Sequence, residues 1–242
     1  MAIASLTLKP LFRLLPFLFV AALAVGCSSS EDVPPSDVFS TTPWRGNESL
    51  SYVLKNDDGK ELGRGTLAVE VSGSTTKLSQ SFTSDSGTDE SSVVVNSSDL
   101  KPQSGTRKID SKDDDNDETV EVTYTEAGAT IKQGDKQSGI SVPEHSYDND
   151  TSLFLWRTIA FVEDYKGAYI TIITNRRTRQ DVTLVMKGKE QVTVPAGTYT
   201  AWKLEIQGAN AKQHAWFADT PAKTLLKYDN DRNVIFELER LP

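Results

Sequence analysis

The fold of this chain is decided by residues 191–207, which read QVTVPAGTYTAWKLEIQ. Apolar and polar side chains alternate on both sides of the Pro195-Ala196-Gly197 break, and a period of two residues predicts β-strands. Proline presets φ at the first position of a type I turn, and glycine accepts a positive φ at the third position. The stretch therefore predicts a β-hairpin whose three-residue loop fixes the register of its two strands.

The same alternation recurs along most of the chain. It is strong at 50–54, 67–71, 120–124, 182–186 and 234–238, and weaker at 75–83, 91–96, 129–133, 168–174, 212–218 and 224–228. Turn signals separate these segments at the spacing of an antiparallel meander. We therefore predict a mainly β protein with a curved antiparallel sheet of about ten to twelve strands.

One segment departs from the strand pattern. Residues 150–162 read DTSLFLWRTIAFV, and Leu153, Trp156 and Ala160 fall on one stripe of a helix. Asp148 or Asp150 can cap its first turn. A single amphipathic helix among antiparallel strands is expected to pack on, or plug, the concave face of the sheet.

The first 26 residues have the pattern of a secretory signal. Lys9 and Arg13 precede an apolar run at 14–25, which is shorter than the roughly 20 residues of a membrane-spanning helix. Ala24-Val25-Gly26-Cys27 resembles the lipobox of bacterial lipoproteins. This resemblance implies cleavage between Gly26 and Cys27 and acylation of Cys27, which anchors the protein stably in a membrane. The alternative is an ordinary signal followed by a free, buried cysteine.

The composition after the signal indicates a tether and one domain. Residues 27–43 are rich in Ser, Pro and acidic side chains, which predicts a flexible tether. Residues 44–242 then form a single β-rich domain. Ser28 after the cysteine is typical of lipoproteins sorted to the outer membrane in bacteria with two membranes. With one membrane, we expect the outer face of the cytoplasmic membrane.

Charge and cysteine content exclude several classes of protein. Without residues 1–26 the chain has 24 Lys and Arg against 34 Asp and Glu, a net charge of −10. This balance disfavours binding to nucleic acid. Cys27 is the single cysteine, so a disulfide framework, a zinc ribbon and a thiol nucleophile are excluded.

Catalytic and metal motifs are missing from the sequence. The two histidines, His145 and His214, are not accompanied by a G-x-S-x-G motif. The acidic run at 112–118 lacks the glycine and glutamate spacing of an EF-hand. It indicates a solvated hairpin tip, with weak divalent-cation binding as the alternative. We therefore expect a protein that is not an enzyme and has no cofactor or resident metal.

Five aromatic residues and one arginine provide the candidate ligand site. Its members are Phe154, Trp156, Arg157, Tyr199, Trp202 and Trp216. The aromatic rings either line an apolar cavity under the helix or form ordinary core. Arg157 either binds the anionic head group of a ligand or forms a structural ion pair.

Several motifs resemble a known family. The 191–205 hairpin resembles the VPAGT(F/Y)-x-x-(W/Y)-K motif of domain of unknown function 3108. Tyr147-Asp148-Asn149 with 152–157 is similar to its mid-chain segment, and 215–217 and 225–228 are similar to its closing strands. The resemblance covers roughly 50–239. It implies an envelope protein with an incompletely closed β-barrel, comparable in outline to lipoprotein-localisation receptors, and no established catalytic residues.

Three hypotheses for function follow. The leading one is a non-enzymatic, lipid-anchored envelope protein that binds an apolar ligand, an acyl chain or another envelope component. The second is a structural or assembly lipoprotein that docks on protein or polysaccharide, which requires a solid core and an exposed aromatic patch. The third, a hydrolase, requires Ser or Asp beside His145 or His214 in a cleft.

Overall fold

The computed structural model describes residues 33–112, 117–208 and 211–241. The described chain is dominated by fifteen β-strands that form one sheet. These are β1 (Glu48–Lys55), β2 (Glu61–Ser72), β3 (Thr75–Ser84), β4 (Gly87–Asn96), β5 (Pro102–Ser111), β6 (Glu118–Thr125), β7 (Gly128–Gln133), β8 (Lys136–Ile140), β9 (Ser146–Asp148), β10 (Lys166–Ile173), β11 (Thr178–Val194), β12 (Gly197–Gly208), β13 (Ala211–Ala218), β14 (Leu225–Asp229) and β15 (Ile235–Arg240). Candidate signal, cleavage and acylation residues, including Gly26 and Cys27, lie outside the described residues, as do 113–116 of the acidic run.

The sheet is built from two antiparallel meanders joined at their outer strands. Its order is β8-β7-β6-β5-β4-β3-β2-β1-β15-β14-β13-β12-β11-β10-β9. Neighbours are antiparallel except β9 and β10, which are parallel. Among the described residues, β8 and β9, which end the order on either side, are not paired with each other. The sheet is therefore open rather than a closed barrel. The two edges nevertheless approach each other, because Arg177 beside β11 donates to Gln133 of β7.

The predicted fold class is confirmed in its mainly β, antiparallel and open character, but the strand count was too low. The additional strands are β5, β8 and β9. β5 and β8 are largely polar and half-exposed, and β9 has only three residues. None of them has the apolar alternation on which the prediction depended.

The core lies on the concave face of the sheet. Alternate residues of each strand point inward, as Tyr52, Leu204 and Leu238 show by being fully buried. A smaller apolar cluster of Val120, Val122, Ala129 and Ile131 lies on β6 and β7. The concave face therefore holds most of the apolar surface that stabilises the domain.

The predicted helix is shorter than expected and is not amphipathic. The helical segment comprises a 3-10 turn at Asn149–Thr151, α1 at Ser152–Leu155 and a second 3-10 turn at Trp156–Thr158. Asp148 caps the start by accepting from the Asp150 amide at 2.9 Å. Residues 150–159 are all buried, because the segment lies inside the curved sheet instead of on its surface. The expectation that it plugs the concave face is confirmed, whereas the one-sided stripe is wrong.

Residues 33–43 differ from the expected flexible tether. The Ser36 amide donates to the Ala168 carbonyl at 2.9 Å. The buried Phe39 ring packs edge-on against Tyr147 and Tyr169, with ring centroids 4.8 Å apart in each case. Composition underestimated this segment because one buried aromatic is enough to attach a short polar stretch.

The 191–207 hairpin forms as predicted, with a tighter loop. Val194 pairs with Gly197, so two residues rather than three lie outside the ladder. Gly197 has φ +134°, a conformation that favours glycine. The Ala196 amide donates to the Leu238 carbonyl of β15 at 3.1 Å. Since β13 and β14 separate β12 from β15 in the sheet order, the hairpin bends over both strands.

Candidate functional site

The curved sheet and the helical segment enclose a cavity of about 400 Å³. Residues from both meanders and from the helical segment contribute to its wall. The apolar part of the wall consists of Phe82, Leu153, Trp156, Val182, Ile206 and Phe236. Alternation places these side chains on the inner face of their strands, and the helical segment adds Leu153 and Trp156.

A group of hydroxyls lies within this apolar wall. The Tyr169 hydroxyl accepts from the Trp156 indole nitrogen at 3.1 Å and lies 3.4 Å from the Ser152 hydroxyl. Burial raises the pKa of Tyr169, which keeps it neutral. The Tyr228 hydroxyl donates to Gln213 at 3.0 Å. These groups are neutral donors and acceptors suited to a polar atom of a ligand.

Thr171 is the exception in this group. It lines the cavity from β10 and is 4% exposed. Its hydroxyl has no hydrogen-bond partner among the described residues. An unsatisfied buried hydroxyl costs about 1–3 kcal/mol, so Thr171 is a site where a bound group can add stability.

Charged side chains close one side of the cavity. Arg107 of β5 donates to Asp89 at 2.6 and 3.0 Å and to Asp150 at 3.1 Å. Burial alone would lower the pKa of Arg107, but the two carboxylates raise it. Burial raises the pKa of Asp150, although Arg107 opposes this. Arg107 is thus fully used in binding carboxylates of the protein itself.

Asp148 forms a second buried carboxylate next to this group. It accepts from the Tyr124 hydroxyl at 2.5 Å, which joins β9 to β6 across the open side of the sheet. Burial and the nearby Asp150 raise the pKa of Asp148 to about 7. The carboxyl group is therefore half-protonated near neutral pH.

The remaining polar wall includes several residues on turns. Asn175 and Arg176 lie on the turn between β10 and β11, and Asn230 and Arg232 lie on the turn between β14 and β15. Both arginines are exposed. Burial raises the pKa of Tyr228, and the positive charge of Arg232 acts in the opposite direction. These turns form the end of the cavity that is open to solvent, its wet end.

The structure does not bring the predicted aromatic group together. Trp156 lines the cavity, which is one of the two alternatives predicted for these rings. Phe154 is 1% exposed and packs in the core. The Tyr199 hydroxyl donates to the Ala196 carbonyl at 2.7 Å and closes the hairpin turn. Trp202 donates to Asp219 at 2.8 Å.

Trp216 and Arg157 also have structural roles. The Trp216 indole donates to Glu190 at 2.6 Å and has the Lys203 and Lys227 ammonium groups 5.2 and 5.5 Å from its ring centroid. Arg157 pairs with Glu48 and donates to the Ala222 carbonyl at 2.9 Å. Arg157 therefore forms the ion pair that was one of its two predicted roles.

Two further depressions are more open than the cavity. One, of about 710 Å³, includes Trp44, Arg157 and Lys223. The other, of about 370 Å³, lies against the Ser- and Thr-rich strands β2 to β6. In the first, Arg157 is occupied by Glu48, and the second has few large side chains. Ser79 lines the second depression, and its buried hydroxyl, like that of Thr171, has no hydrogen-bond partner among the described residues.

Neither of the two histidines is among the residues that line the cavity. His145 lies 3.2 Å from Asp37, and His214 lies 3.6 Å from Glu205 and beside Trp216. Among the described residues, no group of His, Cys, Asp and Glu is arranged to hold a metal ion. No helix in the described ranges is long and apolar enough to cross a membrane.

Sequence analysis missed the residues that give the cavity its polarity. Thr171 follows Tyr169 at strand spacing, so the inward direction of its hydroxyl could be read from the alternation. Arg176 and Arg232 lie on turns, where the strand pattern carries no information about direction. Their convergence depends on the order of strands in the sheet.

The open sheet, internal helical segment and cavity define a β-barrel-like domain. Residues 49–234 match the family model described as protein of unknown function, DUF3108, and the chain belongs to that family. This confirms the resemblance found in the sequence. None of the curated proteins compared with the chain gives a significant match.

A solved structure supports the same fold. A beta-barrel-like protein of domain of unknown function DUF1849 from Brucella abortus is similar with a TM-score of 0.52 and 8% identity, covering 79% of this chain and 95% of that chain. A candidate exported protein with a YmcC-like fold from Bacteroides fragilis has a TM-score of 0.33, 12% identity, and coverage of 85% and 99%. A candidate lipoprotein from Parabacteroides distasonis has a TM-score of 0.35, 14% identity, and coverage of 85% and 99%.

Proposed function

We propose that this protein is exported, anchored at the cell envelope through acylated Cys27, and binds an amphipathic small molecule in the cavity without catalysing a reaction. The observation that carries the proposal is the cavity of about 400 Å³ between the two meanders and the helical segment, with the Thr171 hydroxyl in its wall lacking a partner among the described residues. A ligand oxygen would accept this hydrogen bond and remove the cost of the unsatisfied group.

The size and lining of the cavity support a ligand of this kind. Pockets that hold small molecules measure roughly 300–1,000 Å³ and combine an apolar wall with a few convergent polar groups. The volume of about 400 Å³ lies in the lower part of that range. Trp156 and Phe236 supply apolar area, while Tyr169 and Thr171 supply hydroxyls. A molecule with one apolar tail fits this arrangement better than a bulky diacyl lipid.

A non-enzymatic role is supported by how the titratable groups are used. Asp89 and Asp150 are engaged by Arg107. Neither His145 nor His214 is among the residues that line the cavity. The cavity thus lacks a nucleophile beside a base among the described residues, which nucleophilic hydrolysis requires.

Docking on another macromolecule is a weaker candidate. Within the part of the chain that the structure describes, the exposed large hydrophobic side chains are Val71, Val162 and Leu241. None of them is aromatic, whereas docking through an aromatic patch requires a contiguous exposed group. We therefore favour ligand binding over docking.

The ligand proposal can be tested with a chain that starts at Val33. Residues 33–242 form one compact unit, so this chain retains the complete described core. N-phenyl-1-naphthylamine, an uncharged fluorescent probe, should bind saturably with increased emission. Val182→Phe places a larger side chain in the cavity and should lower its affinity at least tenfold. Thr183→Phe, on the opposite face of β11, is the matched control and should leave binding unchanged.

Binding that is absent in the parent chain, or equally retained in both variants, would overturn the ligand proposal. Circular dichroism of the two variants shows whether either change has disturbed the fold. Identification of the small molecule that co-purifies with the protein, by native mass spectrometry, then shows its chemical class.

Anchoring is tested separately with the full-length chain. Radiolabelled palmitate should be incorporated into the parent protein and not into Cys27→Ala. The parent protein should partition into a detergent phase, and the variant should lose its acyl-dependent partitioning. Labelling of the variant to the same extent would exclude Cys27 as the acylation site.

A further inference from the structure

Two arginines line the wet end of the cavity. Arg176 and Arg232 belong to turns that are far apart in the sequence, yet both contribute to the same cavity wall. Neither guanidinium forms an ion pair or a hydrogen bond with any of residues 33–112, 117–208 or 211–241, although the Arg232 backbone amide donates to the Asn230 side chain at 2.8 Å. By contrast, Arg107 and Arg157 are each bound to carboxylates.

The side chains around the two arginines differ, because Asp229 and Asp231 lie next to Arg232 whereas further arginines lie next to Arg176. Arg177 follows Arg176 on the same turn, and Arg179 lies at the start of β11. Arg177 donates to the Gln133 amide oxygen, and Arg179 donates to the Ser141 hydroxyl at 2.5 Å. Both partners are neutral, so the two neighbouring arginines retain their positive charge. The turn therefore adds positive potential next to the cavity.

This local charge is opposite to that of the whole protein. The chain from Cys27 onward carries a net charge of −10, with an excess of acidic side chains. Unpaired guanidinium groups at a cavity in an acidic protein favour an anionic ligand group there. Arginine is well suited to this because its planar fork binds a carboxylate, sulfate or phosphate through two hydrogen bonds.

We propose that the ligand is an anionic amphiphile with one apolar tail, whose acidic group lies at Arg176 and Arg232. This inference rests on the proposed function and specifies the charge of its ligand. The apolar tail extends toward Trp156 and Phe236. The acidic group stays at the exposed turns, where it keeps part of its hydration and avoids the cost of complete burial.

The test uses two fluorescent probes that differ in one group. 8-Anilino-1-naphthalenesulfonate is N-phenyl-1-naphthylamine with an added sulfonate. With the chain that starts at Val33, we expect the anionic probe to bind at least tenfold more tightly. Arg176→Gln combined with Arg232→Gln should remove this preference and leave the affinity for the uncharged probe within twofold.

A control pair changes the net charge by the same amount. Arg45 and Arg240 also lack an ion pair among the described residues, and neither lines the cavity. Arg45→Gln combined with Arg240→Gln should retain at least half of the preference for the anionic probe. Equal loss in both double variants would mean that overall charge, and not the cavity, selects the probe, which would overturn the inference.

The outcomes separate the inference from the proposed function. If neither probe binds, the ligand proposal itself fails. If both bind with equal affinity, the protein binds a ligand but does not select an anion, and the inference alone fails. Displacement of the anionic probe by decanoate or by a lysophospholipid with an anionic head group, but not by decanol, supports the inference. The stronger of the two anionic competitors shows whether the acid is a free carboxylate or a lipid head group.

Discussion

Arg157 and Glu48 form an ion pair across 109 residues of sequence, with the Arg157 side chain only 3% exposed. The pair joins the helical segment inside the sheet to β1. Two backbone carbonyls, those of Ala222 and Lys223, accept from the same guanidinium at 2.9 and 3.1 Å. The helical segment is thus attached to β1 and to the loop before β14 by one side chain.

Removal of the carboxylate from this pair should destabilise the domain. Glu48→Gln leaves a buried guanidinium with neutral partners, and we expect a loss of about 2–3 kcal/mol in the free energy of unfolding. Urea denaturation measures this loss. Glu70→Gln is the control, because Glu70 and Lys77 are both about half exposed and exposed pairs contribute little. A similar effect for both changes would contradict a special role for Glu48.

Stability should depend on pH through Asp148. Its folded-state pKa is raised to about 7 from an ordinary value of 3.8, so the folded protein binds more protons than the unfolded chain between these values. The free energy of unfolding should therefore fall as pH rises from about 4 to 7, by on the order of 3 kcal/mol. Asp148→Asn should flatten this dependence in thermal unfolding at pH 5 and pH 8. An unchanged pH profile in the variant would refute the assignment.

Asp37 should affect the free energy of unfolding at lower pH and in the opposite direction. Burial alone would raise its pKa, but hydrogen bonds from Lys101, His145 and Tyr147 lower it to about 2. The stability from this group is complete above about pH 4 and is lost as pH falls toward 2. At pH 5 and pH 8 the stability from Asp37 is complete, so the comparison of Asp148→Asn with the parent protein at these two pH values does not include a change at Asp37.

Replacement of the unpartnered hydroxyl should have two opposite effects. Thr171→Val should raise the free energy of unfolding by about 1 kcal/mol, because it removes a buried group without a partner. It should also weaken binding of a ligand that accepts a hydrogen bond by about fivefold. Thr158→Val is the matched control, since its buried hydroxyl donates to Leu155 at 2.8 Å. That change should destabilise the domain, and a loss of stability at both positions would argue against a free Thr171 hydroxyl.

The segment before β1 should contribute to stability. Phe39→Ala removes a buried ring that packs against Tyr147 and Tyr169, and we expect a loss of about 3 kcal/mol. Thr41→Ala, at an exposed position of the same segment, should have little effect. If residues 33–43 were an unattached tether, both variants would unfold at the same denaturant concentration as the parent protein.

The hairpin glycine should be hard to replace. Gly197 has φ +134°, and a β-branched side chain is strained there, so Gly197→Val should cost about 1–2 kcal/mol. Gly46→Val is the comparison, because the space around Gly46 is open and its φ is ordinary. Chemical denaturation of the two variants should show a clear loss for Gly197 and a small change for Gly46. Equal losses would mean that backbone conformation is not the cause.

The sequence predicts the strands that carry an apolar face and fails where that face is missing. The alternation at Val182 and Leu184 locates β11, and the Pro195-Ala196-Gly197 turn locates its end. Polar β5 and short β9 give no such signal. The helical segment was predicted too long, because residues 150–159 are buried on all sides instead of along one stripe, and the backbone is already extended at Ile159.

The candidate site was harder to predict than the fold. Trp156 was identified from its position in the helical segment, whereas Trp202 and Trp216 turned out to bind carboxylates of the protein. Arg176 and Arg232 meet only because the second meander places their turns at one end of the cavity. This convergence depends on the order of strands in the sheet, which the local pattern of apolar and polar residues does not encode.

The pairing of β1 with β15 has a consequence for the order in which the sheet forms. The first eight strands form local hairpins, as do β10 to β15, but among the described strands it is the ladder between β1 and β15 that joins the two halves into one sheet. Contacts such as Tyr52 with Leu238 must wait for the final residues. Completion of the sheet is therefore a late, long-range step, and long-range closure is slow. Until the last strand is made, β1 is an open edge of the partly formed sheet.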